Sequence, residues 1–347
     1  MTVNLSHIPA TTQPYVSTVD IIRKKLELVF RSWGAPGELL AIKCHFGERG
    51  ATRYLRPLYV RAVADAARNA GMKPFATDTV VLYKGSRSTA VGYLETASAH
   101  GFTADSIGCP LIISDGMRGE FGVALPPVNG GPAYMGAGSL QGVRHMAVLS
   151  HITLHGFTGV AGAIKNVGMG LMSSAGKAAI HGATKPLMDT SKCSACGECL
   201  KTCGHGALEL VDGAIRRLDT ACTGCCHCMG PCRQGVYSLD DGQLENFSHR
   251  LTEAAAAFLA GRRSVFINGV VDVTPQCDCA SFTHAPVYTD AGFVIAADPF
   301  MADRASVELM EREKPLESGV WKLWSNQMAS GEKFFGMKEI VWETITN

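Results

Sequence analysis

The chain has 347 residues, of which 46% are apolar and 18% charged, and its formal net charge is +1. That length allows a substantial core and about two domains. The near-neutral balance excludes the electrostatic footprint of a nucleic-acid binder or of a protein held on an anionic membrane. No uninterrupted apolar run approaches the roughly eighteen residues needed to span a bilayer. Met1 to Val16 lacks the basic region followed by an apolar run that marks a secretory signal, so the expected compartment is the cytoplasm.

Taken in order, Val19, Ile22, Leu26, Val29 and Phe30 recur at helical spacing, with Ser17 or Thr18 as cap and Gly34 as stop. A short apolar strand over residues 38–44 ends in the loop His45-Phe46-Gly47-Glu48-Arg49-Gly50. A helix follows from Pro57, suited to a first helical position, to Ala70. Residues 75–78 form the next strand, and a loop runs through Tyr83-Lys84-Gly85-Ser86-Arg87. A helix then extends from its Ser88 cap to about His100, and residues 111–114 form a third strand. Residues 116–142, rich in glycine and proline, read as a surface excursion or lid. Strand character resumes over residues 148–154.

Residues 156–182 hold seven glycines among small residues and include Ala163-Ile164-Lys165-Asn166-Val167-Gly168-Met169-Gly170. Glycine there permits either close backbone packing or a cradle of N–H groups, with Lys165 and Asn166, around an anionic ligand. The stretch matches neither the Walker A pattern nor the dinucleotide fingerprint.

Eight of the thirteen cysteines then fall in two copies of C-x2-C-x2-C-x3-C. The first is Cys193, Cys196, Cys199 and Cys203, and the second is Cys222, Cys225, Cys228 and Cys232. Structural zinc prefers two C-x2-C pairs, and disulfide frameworks belong to short secreted chains. The doubled set of four resembles the bacterial two-cluster ferredoxins over about fifty residues. By the cross-over rule of those proteins, Cys193, Cys196, Cys199 and Cys232 hold one 4Fe-4S cluster, and Cys222, Cys225, Cys228 and Cys203 hold another. Ferredoxins place proline directly after the fourth cysteine, whereas Gly204 and Arg233 stand there in this chain.

Beyond the cysteines a helix over residues 244–259, strands over 264–271 and 293–297, and a helix headed by Asp298-Pro299 restore the strand–helix alternation. The expected fold is therefore α/β, with a mostly parallel sheet and helices on both faces, interrupted by a small α+β ferredoxin-like module. Residues 1–184 plus 242–347 form the α/β domain and 185–241 the insertion. Ligands of such sheets gather at the carboxyl ends of the strands, where His45, Asp78, Asp115, Asp272 and Asp298 stand. Cys44 and Cys109 read as buried small hydrophobes, and Cys226 as a bystander between ligands. Cys277 and Cys279 follow a strand in a loop beside Asp278, which suits a metal or a redox-active pair. His45, His151, His155 and His181 are pocket candidates.

The stretches Ile42-Lys43-Cys44-His45-Phe46-Gly47-Glu48, Thr77-Asp78-Thr79 with Gly85-Ser86-Arg87, and Ala163 to Gly170 are similar to those of the family catalogued as domain of unknown function 362. Asp272-Val273-Thr274-Pro275 with Cys277-Asp278-Cys279, and Ala297-Asp298-Pro299, extend the resemblance to about residues 38–312. The version of the family it resembles carries a two-cluster ferredoxin, and it implies an iron–sulfur protein typical of anaerobic metabolism without a settled reaction. A lysine and a glycine are expected where Thr153 and Leu154 stand. The functional expectation is a redox protein, an oxidoreductase if an enzyme, whose clusters pass electrons to a substrate or second cofactor at the sheet edge. Cys277, Cys279, His45 and Lys165 are its catalytic candidates. Lys43, Asp78, Asn166, Asp272 and Asp298 are the cofactor-binding ones, and an additional metal or organic cofactor is left open. The alternatives are an electron carrier that docks partner proteins and a metal- or cluster-delivery protein. Expected partners are a redox protein or a small-molecule substrate, with no nucleic acid and no membrane.

Overall fold

A computed structural model describes residues 2–10 and 15–346. Eight strands make one large sheet: β1 (Thr2–Pro9), β2 (Leu39–Lys43), β3 (Lys73–Asp78), β4 (Leu111–Ile113), β5 (His145–His151), β6 (Arg263–Val270), β7 (Gly292–Ala296) and β8 (Glu339–Thr344). Their spatial order is β8-β1-β7-β6-β5-β2-β3-β4. Every neighbouring pair is parallel except the two that involve β7, which runs against both β1 and β6. The fold is thus α/β with a mixed, mostly parallel sheet, assembled from strands near both ends of the chain.

Period-2 alternation sends successive strand residues to opposite faces, and here both faces are covered. Ala41, Met146, Val148, Phe266 and Val294 enter one apolar cluster, while Leu40, Ile42, Ala147, Leu149, Ile267 and Ile295 enter another. The second cluster is closed by α1 (Thr18–Trp33), α2 (Pro57–Asn69) and α3 (Ala90–Ala99), through Ile22, Leu26, Phe30, Val60, Val63 and Tyr93. α1 begins and ends where its caps predict: the Ser17 side chain accepts from Asp20 N–H, and Gly34 adopts φ 60°. The first cluster is closed by α4 (Ala163–Gly168), α5 (Ser174–His181), α6 (Asp241–Leu259), α7 (Pro299–Glu311) and α8 (Ser318–Phe335). Ile164, Ile180, Leu251, Phe300 and Trp324 are their buried anchors.

Two expectations change. Residues 116–142 are not a plain surface excursion, because the hairpin Gly122–Ala124 with Met135–Ala137 folds down and buries Leu125, Tyr134 and Leu140 in the core. The cysteine-rich stretch does not stand out as a ferredoxin-like module. It contributes two separate two-stranded pairs, Leu187–Met188 with Tyr237–Ser238 and Leu208–Val211 with Ala214–Arg217, around a small apolar cluster that includes Ile215, Val236 and Tyr237. Among the described residues no helix is long and apolar enough to cross a membrane.

The glycine-rich segment uses its glycines for close packing. A Cβ on Gly168 would lie 2.2 Å from the Leu251 carbonyl of α6, and one on Gly170 2.7 Å from the Lys43 ammonium. The chain therefore passes closely over α6 and over the end of β2. Gly168→Ala should force these backbones apart at a cost of about 1–3 kcal/mol, read as a lower urea midpoint with an unchanged far-ultraviolet spectrum.

Candidate active site

The carboxyl ends of β2, β3, β5 and β6 open into a cavity of about 540 Å³. Its floor is a buried ion pair, Lys43 Nζ to Asp78 Oδ1 at 3.0 Å, with both side chains at most 3% exposed. Thr79 N–H donates to the same carboxylate oxygen at 2.8 Å, and the Tyr93 hydroxyl donates to the other. Lys43 also donates to Asn166 Oδ1 at 2.5 Å, whose amide nitrogen donates to the Leu149 carbonyl and to Ser150 Oγ, each at 3.0 Å. One lysine thereby ties β2 to β3 and to α4.

A second layer clasps the loops after β2 and β3. Arg87 donates to Glu48 at 3.0 Å, to His45 Nε2 at 2.8 Å and to the Tyr83 hydroxyl. Gly47 N–H points at His45 Nδ1, 3.0 Å away. Donors face both ring nitrogens; the neutral ring can accept from only one of them, and neither nitrogen meets an acceptor that would hold the extra proton of an imidazolium. Burial, then the charges of Arg87, Lys43 and Lys165, hold it far below the usual histidine range.

His151, at the end of β5, is the opposite case. Its Nδ1 faces Asp278 at 2.7 Å and its Nε2 faces the Val271 carbonyl at 2.8 Å, so both nitrogens meet acceptors. Burial is the largest single influence and opposes the charge, but Asp278 and the carbonyl together raise His151 above its ordinary value. His155 accepts at Nδ1 from Phe157 N–H at 3.2 Å, while the nearby Thr158 hydroxyl donates to the Val160 carbonyl at 2.9 Å. Its remaining proton therefore sits on Nε2. Burial and the nearby Lys165 keep it neutral, and burial lowers His181 to about 4.

α4 carries Lys165 and Asn166 into the wall. Its first N–H groups are satisfied by a buried carboxylate from α7: Ala163 N–H and Ile164 N–H donate to Asp303 at 2.5 and 3.0 Å. Asn268 of β6 donates to the same carboxylate at 2.8 Å. The helix end is therefore filled by a side chain, so of the two readings of this stretch the structure favours close backbone packing over a cradle of N–H groups. The Lys165 side chain makes no hydrogen bond or ion pair with any described residue. Burial draws it from its ordinary 10.5 down to about 8. Lys177 of α5 is lowered to about 8 for the same reason, but it donates to Thr79 Oγ1 at 2.6 Å and lies 3.7 Å from Asp115.

Most of the sequence-derived candidates therefore meet. Lys43, His45, Asp78, His151, His155, Lys165, Asn166, His181, Cys277 and Cys279 all line the cavity, with Asp115 behind Lys177. Two do not. Asp298 lies at the opposite sheet edge, because β7 is the reversed strand, and there it caps α7 and pairs with Lys338. Asp272 is held by Arg53 and Arg56 in a neighbouring surface cleft. Lys177 and Asp303 were not singled out from the sequence; each sits in an apolar helical stretch with no motif around it.

Cys277 and Cys279 are joined in a disulfide, so this structure presents no pair of thiolates there for a metal. The other eleven cysteines are free. Cys193, Cys196, Cys199 and Cys232 line one small cavity of about 20 Å³, and Cys203, Cys222, Cys225 and Cys228 another of about 30 Å³. Each has room for about one water. Among the described residues no group of three or more His, Cys, Asp or Glu is disposed to hold a metal ion. This geometry corrects the expectation of two 4Fe-4S clusters. With them go the ferredoxin module and the readings as an electron-passing redox protein, an electron carrier, or a metal- or cluster-delivery protein.

The family model described as Domain of unknown function (DUF362) matches residues 40–308. No curated protein matches the chain. Among solved structures it is similar to a protein from Thermotoga maritima at 10% identity and a TM-score of 0.47, covering 87% of this chain and 60% of that one. It is also similar to the lactate racemase apoprotein from Thermoanaerobacterium thermosaccharolyticum at 12% identity and a TM-score of 0.37, covering 77% and 50%. The chain thus spans about half to three-fifths of the length of these two.

The two cavity lysines of β2 and α4 should respond differently to removal. Lys43→Met strands a buried carboxylate and should cost about 3–5 kcal/mol of stability. Lys165→Met strands nothing and should leave stability at pH 7 unchanged or slightly higher. Between about pH 8 and 10.5 the unfolded chain keeps the Lys165 proton that the folded chain has lost, so the contribution of Lys165 to stability rises with pH across that window, whereas the buried thiols of Cys44, Cys109, Cys225, Cys226 and Cys228 contribute a fall. Denaturant titrations should therefore show wild type gaining stability relative to Lys165→Met as pH is raised from about 8 to 10.5.

Proposed function

Because the chain belongs to the DUF362 family, whose description names no reaction, we propose its function from the cavity: an enzyme that binds a small molecule bearing a carboxylate or phosphate and transfers protons on it. One observation carries the proposal. Each other cation of the wall has its own carboxylate, Lys43 with Asp78, Arg87 with Glu48, Lys177 with Asp115 and His151 with Asp278. Lys165 is left without a carboxylate of its own: it makes no ion pair, and it shares only the field of Asp278, which already holds His151, while it stands half-buried and facing the cavity.

An entering anion supplies the missing counter-charge. The charge-assisted contact is worth about 1.5–3 kcal/mol, and it favours the protonated lysine. A lysine poised near 8 is also suited to general acid–base work at neutral pH. His155 adds a neutral imidazole with its Nε2 proton available, and Phe157, Met169 and Phe247 give the cavity an apolar wall for the body of the substrate.

The fold supports a division of labour in which residues 1–184 plus 242–347 form the catalytic unit and 185–241 a separable excursion beside its mouth. Tyr83 stacks on His227 across that boundary at 5.0 Å. Replacing 185–241 with a short flexible linker should leave a folded protein that melts in one transition. If the flanking segments each melted alone, the division would be wrong.

Calorimetric titration with inorganic phosphate and a panel of small carboxylates should find a ligand whose affinity drops about 10- to 100-fold in Lys165→Met. Binding should be maintained below pH 8 and weaken above it, as Lys165 loses the proton the anion requires. Exchange of solvent deuterium into that ligand would establish the proton transfer. Absence of anion binding, or binding indifferent to Lys165, would refute the proposal.

A further inference from the structure

The bond between Cys277 and Cys279 has no part in the acid–base scheme, yet it is placed where only a ligand or reagent could use it. Both residues are half-buried and line the cavity, whereas Cys44 and Cys109 are buried in the core. It is also the one bridge among cysteines otherwise left as free thiols in the described residues. A bridge spanning three residues removes little loop entropy from the unfolded chain, so global stability is not what it supplies.

Its local effect is on Asp278, the residue it encloses. The loop is already held at its backbone: Glu48 N–H donates to the Asp278 carbonyl at 2.9 Å, Ala280 N–H to the Cys277 carbonyl at 3.0 Å, and the Tyr83 hydroxyl to the Cys279 carbonyl at 3.3 Å. The disulfide adds a covalent tie on both sides of the carboxylate that holds His151 at 2.7 Å. Lys165 lies close enough to interact with Asp278. The same positive wall favours the thiolate expelled when the S–S bond opens.

We infer that Cys277 and Cys279 are a redox-active pair, reduced by a dithiol that enters the cavity mouth, and that their redox state sets how Asp278 holds His151. In the reaction one thiolate of the dithiol attacks a sulfur of the bridge, the S–S bond breaks and a mixed disulfide forms. The second thiol of the reagent then closes on the first. Two thiols appear on the protein, and the dithiol leaves as a disulfide, having given up two electrons and two protons.

The test uses the full chain and does not depend on the anion reading. Cleavage after lysine and arginine releases residues 264–304 as one peptide containing these two cysteines and no others. In protein prepared in air, iodoacetamide should leave this peptide unlabelled. Treatment of the folded protein with dithiothreitol should add two alkyl groups to it, and oxidised dithiothreitol should restore the bridge. The ring nitrogen resonances of His151, assigned with His151→Gln, should move between the two states. The double variant Cys277→Ser with Cys279→Ser should reproduce the reduced positions. A peptide labelled without reductant, a bridge that yields only when circular dichroism shows unfolding, or unmoved His151 resonances in reduced wild-type protein would each overturn the inference.

Discussion

The pair of Lys43 and Asp78 is the constraint on which the cavity rests. Taking two charges out of water costs several kcal/mol per ion, and the interior repays this only where the remaining donors and acceptors are met. Here Asp78 receives Lys43, Thr79 N–H and the Tyr93 hydroxyl, and Lys43 reaches Asn166 as well. Those contacts join β2, β3, α3 and α4 at one point. Asn166 in turn fixes the face of α4, and so the direction from which Lys165 meets the cavity.

Around that point the wall is organised by matching each charge to a partner and leaving one unmatched. His45 and His151 show how finely hydrogen-bond partners decide charge. Both are strand-end histidines lining the same cavity, but one is surrounded by donors and the other by acceptors. The first is kept neutral, and the second is favoured as an imidazolium. Asp303 works from another helix, since its carboxylate takes the first N–H groups of α4 and leaves Lys165 and Asn166 of that helix as the groups that line the cavity.

The cysteine-rich stretch shows the limit of spacing as a guide. Eight of its nine cysteines divide between two small spaces in the pattern that the cross-over rule anticipates. Grouping along the chain is nevertheless not the same as a set of donors aimed at a common point. Cys193, Cys199, Cys228 and Cys232 are packed with Ile215, Val236 and Tyr237. Cys226 donates to the Thr184 carbonyl at 3.0 Å, and Ala207 N–H donates to the Cys203 sulfur at 3.3 Å.

Local physical chemistry was legible in the sequence. Caps at Ser17 and Asp298, the helical stripe of Ile22, Leu26 and Phe30, and alternating strands between glycine loops placed most central elements to within a residue or two. Carboxyl-end reasoning brought Lys43, His45 and Asp78 together, because parallel strands deliver their ends to one edge. Only the tertiary structure decided what depends on residues far apart. The reversal of β7 removed Asp298 from the site, and β8 at the sheet edge and β1 beside it are defined by pairing rather than by pattern. Lys177 and Asp303 gained their roles from burial against partners 62 and 140 positions away. A side chain's charge and aim are set by the donors, acceptors and water around it, and the spacing of its neighbours along the chain does not encode these.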